Sequence, residues 1–265
     1  MNSRIKLAVA GALTLASASA FAVNLPTTGN GSAVLTLFST NDTTPFSYTF
    51  DLGINFNDVL ANYNTPGFTK SFSLTGLAAD LAANPAAQAN LVFDVTAAST
   101  TGSIATAGGF KLITTFDPAV SAATIGAITS GALSQANGHN NTFLTNFGAT
   151  NPSFTTNAAD TNYANANYNQ VLNTFPIGTN VAAGTSSALP FYELVSAKGT
   201  TSLASATQFG GTWTINLSTD MLTYTVPGGA VPLPASVWLL ISGLAGMFVL
   251  GRRRKEDAGL KATPA

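Results

Sequence analysis

His139 is the single histidine of the chain, and cysteine is absent. These two facts remove most nucleophilic and transition-metal chemistry. Disulfides, thiolate metal sites and a cysteine nucleophile are excluded. A histidine metal site needs more than one histidine. A Ser-His-Asp relay needs its histidine beside a serine and oriented by an acid, and no Gly-x-Ser-x-Gly turn is present. His139 sits among Asn137, Gly138, Asn140 and Asn141, all turn formers, and reads as an exposed loop residue.

The acids are scattered. Asp51 and Asp58, flanking Asn55, Phe56 and Asn57, form the one pair that could face each other across a cleft, as glycoside hydrolysis requires. Their spacing does not demand it. Asp160-Thr161-Asn162 and Asn57-Asp58 offer hard oxygen ligands without the EF-hand spacing. Calcium is therefore the one cofactor left open, and no metal ligand set is assigned. Tyr163 and Tyr168, in an Asn-rich stretch, are the candidate glycan contacts, because an exposed phenol ring can stack on a sugar. Tyr48, Tyr192 and Trp213 belong to alternating segments and are assigned to the core.

Charged residues make up 8% of the 265-residue chain, against roughly 25% in ordinary soluble proteins. Asn, Thr, Ser, Ala and Gly take their place, a composition suited to a secreted β-rich protein. The charges are also sorted by position. Between positions 23 and 229 stand three lysines (Lys70, Lys111, Lys198) and nine acids, a net charge of −6. The other basic residues lie at the ends: Arg4 and Lys6, then Arg252, Arg253, Arg254, Lys255 and Lys261. An acidic body argues against nucleic acid as a partner, since phosphate neutralisation needs Lys and Arg.

The elements that must carry these residues are mostly strands. Phe46, Tyr48, Phe50 and Leu52 alternate with polar residues, as do Phe72 and Leu74, and Leu91, Phe93 and Val95. Trp213, Ile215 and Leu217, then Ser-Thr-Asp, then Leu222, Tyr224 and Val226 predict a β-hairpin. Positions 33–38, 110–116 and 189–195 are further strands. Many short strands separated by Gly, Asn and Pro predict a mainly β body, an antiparallel sandwich or jelly roll. Positions 77–89 read as a short helix interrupted at Pro85. Positions 119–136 read as a helix or a loop insertion, and 137–170 as an ordered loop or irregular strands.

Both ends carry transport signals. Arg4 and Lys6 precede an apolar run over 7–15 and then Ala20-Phe21-Ala22, the three parts of a signal peptide cleaved after Ala22. The run is too short to span a bilayer. At the other end, after a linker at 227–230, stand Val231-Pro232-Leu233-Pro234-Ala235. The 17 residues 235–251 follow without a charge, and then Arg252-Arg253-Arg254-Lys255. At 1.5 Å per residue the apolar stretch reaches about 25 Å, a thin bilayer. Trp238 suits the outer interface, and the basic cluster suits the cytoplasmic side. Pro232 and Pro234 keep the preceding chain extended, the form a protease can grip.

This order of short proline motif, single apolar helix and basic cluster, over 231–255, resembles the PEP-CTERM sorting tail of exosortase substrates, in a Val-Pro-Leu-Pro-Ala variant. Leu233 stands where that family has its name-giving Glu, and ten residues, 256–265, follow the basic cluster as a short cytoplasmic tail. The resemblance implies export through the secretion translocon, an inner-membrane intermediate, and cleavage near Pro232–Ala235 by an exosortase-type membrane protease. The body, 23–226, would end on the outer surface or outside the cell of a Gram-negative bacterium, in the company of exopolysaccharide. The expectation is a structural or exopolysaccharide-associated envelope protein and not an enzyme. A carbohydrate-binding or calcium-dependent adhesion module and a secreted hydrolase are the alternatives.

Overall fold

The computed structural model describes residues 23–41, 43–147, 151–161, 163–164, 179–180 and 188–228. The chain divides into two compact units, Met1–Pro227 and Gly228–Ala265. Of the second, only Gly228 is described.

The first unit is mainly β, as its alternation predicts. Among the described residues ten strands appear in chain order: β1 Ser32–Ser39, β2 Ser47–Asn55, β3 Thr69–Ser73, β4 Leu91–Thr100, β5 Phe110–Thr115, β6 Ser153–Thr155, β7 Thr179–Asn180, β8 Leu189–Val195, β9 Ser205–Asn216 and β10 Met221–Thr225. They join in one curled antiparallel sheet, ordered β3-β10-β9-β8-β5-β4-β1-β2-β6, with β7 beside the start of β4. The antiparallel arrangement agrees with the sequence. The strands form one continuous hydrogen-bonded sheet and not the two sheets that a sandwich would have.

Side chains from alternate strand positions fill two cores, one on each face. Leu35, Leu37, Tyr48, Phe93, Val95, Trp213, Ile215 and Tyr224 build the larger one. It is closed by α1 (Phe56–Asn62) through Phe56 and Val59, and by α2 (Leu77–Ala83) through Leu77 and Leu81. Asn55 and Asp58 start α1 as a reciprocal capping box, each side chain satisfying a backbone N–H that the first turn leaves free. The helix expected before Pro85 is α2, and a 3-10 segment, Pro85–Asn90, follows it.

Val34, Phe38, Ala98, Leu112 and Leu194 face the other way and build the second core. Its cover is α3 (Ala122–Gly126) and α4 (Ser130–Phe147). Positions 137–147, expected as loop or irregular strand, are therefore helical. Leu133, Ala136, Asn137, Asn140, Phe143, Leu144 and Phe147 are buried along one face of α4. Their helical spacing was present in the sequence, but two Asn residues interrupt the apolar stripe. Tertiary docking overrides the weak helix propensity of Asn here.

The predicted hairpin forms as β9 and β10, with Trp213 opposite Tyr224 and Ile215 opposite Leu222. Its turn is held by Asn216, whose Oδ1 accepts from the Ser218 and Thr219 backbone N–H groups at 3.0 and 3.3 Å. Asp220 closes it at φ 50°, the left-handed region that Asp tolerates better than most residues.

Candidate functional site

The residues assigned to processing and topology, namely Ala20, Ala22, Val231, Pro232, Pro234, Ala235, Trp238, Arg252, Arg253, Arg254 and Lys255, lie outside the described residues. So does Tyr168. Among the described residues no helix is long and apolar enough to cross a membrane.

Tyr163 does not present a ring to solvent, which corrects its assignment as a glycan contact. It is 1% exposed, and its hydroxyl donates to the Ser39 carbonyl at 3.3 Å. The neighbouring Ala164 N–H donates to Ser47 Oγ at 3.2 Å, so this stretch is packed onto the ends of β1 and β2.

Asp51 and Asp58 each serve the backbone. Asp51, 2% exposed, accepts from the Gly53 N–H at 2.9 Å and from Ser32 Oγ at 3.4 Å. Burial raises its carboxyl above the ordinary range, opposed by those two donors. Asp58 accepts from the Asn55 N–H at 3.0 Å in the α1 cap. His139 lies on α4, half-buried, and not in a loop. The helix carries no other titratable group. Among the described residues no cluster of three or more His, Cys, Asp or Glu could hold a metal ion. Asp160 accepts from Thr155 Oγ1 at 3.2 Å.

A shallow groove of about 350 Å³ runs between Thr44-Pro45 and the Asn84–Ala87 turn, with Thr156 at its side. Its lining has no ionisable side chain, so it supplies no acid–base chemistry.

The chemically unusual place is one that sequence reading passed over. Asp94, on β4, is fully buried on the face that α4 covers. Its Oδ1 accepts from the Thr115 and Thr114 hydroxyls at 2.6 and 3.1 Å, while its Oδ2 has no partner. Thr36 stands directly opposite on β1, and its Oγ1 is also unpartnered. From α4, Asn140 donates to Thr96 Oγ1 at 3.2 Å. Asn137 donates to the Ser99 and Lys111 carbonyls at 3.1 Å each. The Oδ1 atoms of both asparagines are left without a donor. Burial pushes the Asp94 carboxyl up to about 7, against the pull of the Thr115 and Thr114 hydroxyls. Removing a carboxylate from water penalises its charged form. By the alternation of Leu91, Phe93 and Val95 alone, Asp94 falls on the opposite, polar face of β4. The only signal pointing elsewhere was the helical stripe that brings α4 over it.

No protein-family model, no curated protein and no solved structure matches the chain.

Proposed function

We propose that the chain is an exported envelope protein. In this reading an exosortase-type membrane protease cuts its C-terminal tail, and its β-rich body is a structural or exopolysaccharide-associated component with no catalytic role. The observation that carries the reading is the tail itself: Val231-Pro232-Leu233-Pro234-Ala235, 17 uncharged residues at 235–251, then Arg252-Arg253-Arg254-Lys255. An apolar stretch of that length suits an inner-membrane span before processing. The basic cluster suits retention on the cytoplasmic side.

The limits of the body support the same reading. Ser32 N–H donates to the Asn24 carbonyl at 2.8 Å, Asn24 N–H donates to Ser32 Oγ at 2.9 Å, and Val23 and Leu25 pack against the second core. At the other end, Val226 N–H donates to Phe68 O at 2.8 Å and Gly67 N–H to Val226 O at 3.2 Å. Cuts after Ala22 and near Pro234 would thus spare every residue named in the two cores. The buried Tyr163 and the structural duties of Asp51 and Asp58 favour neither the glycan-binding nor the hydrolase alternative.

Intact mass of the mature protein from cells with and without the host protease tests the proposal. The expected mature species lacks residues 1–22 and everything after about Pro234, and the tail persists when the protease is deleted. A mature protein that keeps Ala265 in protease-competent cells would leave a plain membrane anchor in its place.

A further inference from the structure

Asp94 has no counter-charge among the elements around it. β1 carries no titratable group. On β5 the only one is Lys111, which pairs with Ser99, five residues along β4 from Asp94. On β8 they are Tyr192, opposite Thr114 and against the second core, and Glu193, itself an acid. On β2 they are Tyr48, which belongs to the opposite core, and Asp51, itself an acid. On α4 the only one is His139, half-buried beside Asn140. No charge contributes to the environment of the Asp94 carboxyl: burial raises it, against the Thr115 and Thr114 hydroxyls and the backbone N–H groups of Thr115 and Val95.

The seam between α4 and the sheet is also short of protons. Along it Asp94 Oδ2, Asn137 Oδ1 and Asn140 Oδ1 are acceptors without donors, and Thr36 Oγ1, opposite Asp94, is unpartnered. A neutral carboxyl adds one donor to this set. An ionised one adds an unpaired charge two residues along β4 from Thr96, onto which α4 brings the Asn140 amide. Burying an unpaired charge is far costlier than burying a hydrogen-bonded acid. The helix can relieve that cost, because lifting α4 readmits water to the seam.

We propose that the α4–sheet seam is a proton-operated latch, closed over a neutral Asp94 and loosened when Asp94 ionises. The ligand is a proton, and the moving part is Ser130–Phe147. Opening exposes the apolar stripe of Leu133, Phe143, Leu144 and Phe147 and the sheet face beneath it. The sign follows from linkage: the closed state holds the proton up to about pH 7, whereas a solvated Asp loses it near 4. Closure is therefore favoured at low pH and is lost as pH rises between those values.

Hydrogen exchange of the full-length chain in mild detergent, followed from pH 4 to 8 and corrected for intrinsic exchange, tests this. Opening of α4 should increase about tenfold per pH unit between about 4 and 7 and then level off, while the β9–β10 hairpin does not follow. Asp94→Asn, a neutral mimic with the same acceptor for Thr114 and Thr115, should flatten the α4 profile. Three outcomes overturn the proposal: a pH-independent α4, an α4 and hairpin that respond together, or an Asp94→Asn protein that keeps the dependence. If that variant does not fold, the carboxyl-carbon resonance of Asp94 in the wild-type chain decides. Titration near 7 together with α4 opening sustains the latch. Titration near 4, or without opening, overturns it.

Discussion

The hydroxyl of Tyr224 donates to the carbonyl of Tyr63 at 2.6 Å, tying the last strand of the sheet to the end of α1. The two rings lie 4.9 Å apart, and Trp213 packs against both, at 5.9 Å from Tyr63 and 5.0 Å from Tyr224. Gly211 leaves room for the Tyr224 ring. A methyl group there would overlap Tyr224 Cζ and approach Thr225 O to 2.7 Å.

Tyr224→Phe should therefore lower stability by about 1–3 kcal/mol, because it strands a buried carbonyl. Gly211→Ala should cost a similar or larger amount through overpacking against backbone that cannot move aside. Denaturant unfolding would show both as lower midpoints at unchanged slope.

Asn137 is a clamp between α4 and two strands. Asn137→Leu keeps the size of the side chain and removes its donors, leaving the Ser99 and Lys111 carbonyls without the bonds it supplies. A loss of about 2–4 kcal/mol is expected, since each orphaned buried acceptor costs about 1–3. Thermal unfolding of the two proteins at one pH measures it.

Three phenols should resist ionisation in alkali. Burial raises Tyr48, Tyr63 and Tyr224 above the ordinary range, Tyr224 to about 12. A raised acid is favoured neutral in the fold, so its contribution to stability is present at neutral pH and lost as pH climbs towards the folded value. Phenolate absorbance should show these three ionising late, together with unfolding. An early, reversible titration of these three would contradict their burial.

Tyr163→Ala should act on stability, not on a ligand. The ring is buried and its hydroxyl reaches Ser39, so its loss should cost about 3–5 kcal/mol, as for other large core truncations. Circular dichroism melting would register the change. A variant that melts like the wild type would place Tyr163 outside the core.

Where one chemical pattern decided the structure, the sequence was readable. Trp213, Ile215, Leu222 and Tyr224 alternate cleanly, and the Asn216–Asp220 turn is built from residues that favour turns, so the hairpin could be drawn from the chain alone. α1 could not. It has seven residues, too few for a periodicity, and its one signal was the Asn55/Asp58 cap, which looked instead like half of a carboxylate pair. α4 was hidden for a different reason. Its buried stripe contains Asn137 and Asn140, and their burial makes sense only once the polar sheet face opposite is known. Asp94 depends on that same face. A strand that alternates apolar and polar shows a solvent side unless a helix distant in the chain covers it.

The edge strand β3 has one hydrogen-bonded neighbour among the described strands, β10, and Ser71 meets Thr223 across 152 residues of chain. An edge completed by so distant a segment cannot be assembled early. While the chain is being synthesised, Thr69–Ser73 must wait for the final strand to arrive, and the entropy of closing that loop is settled last. Truncation anywhere before Met221 would leave a nascent chain with its margin unsealed, and the body can close only after nearly all of it has emerged.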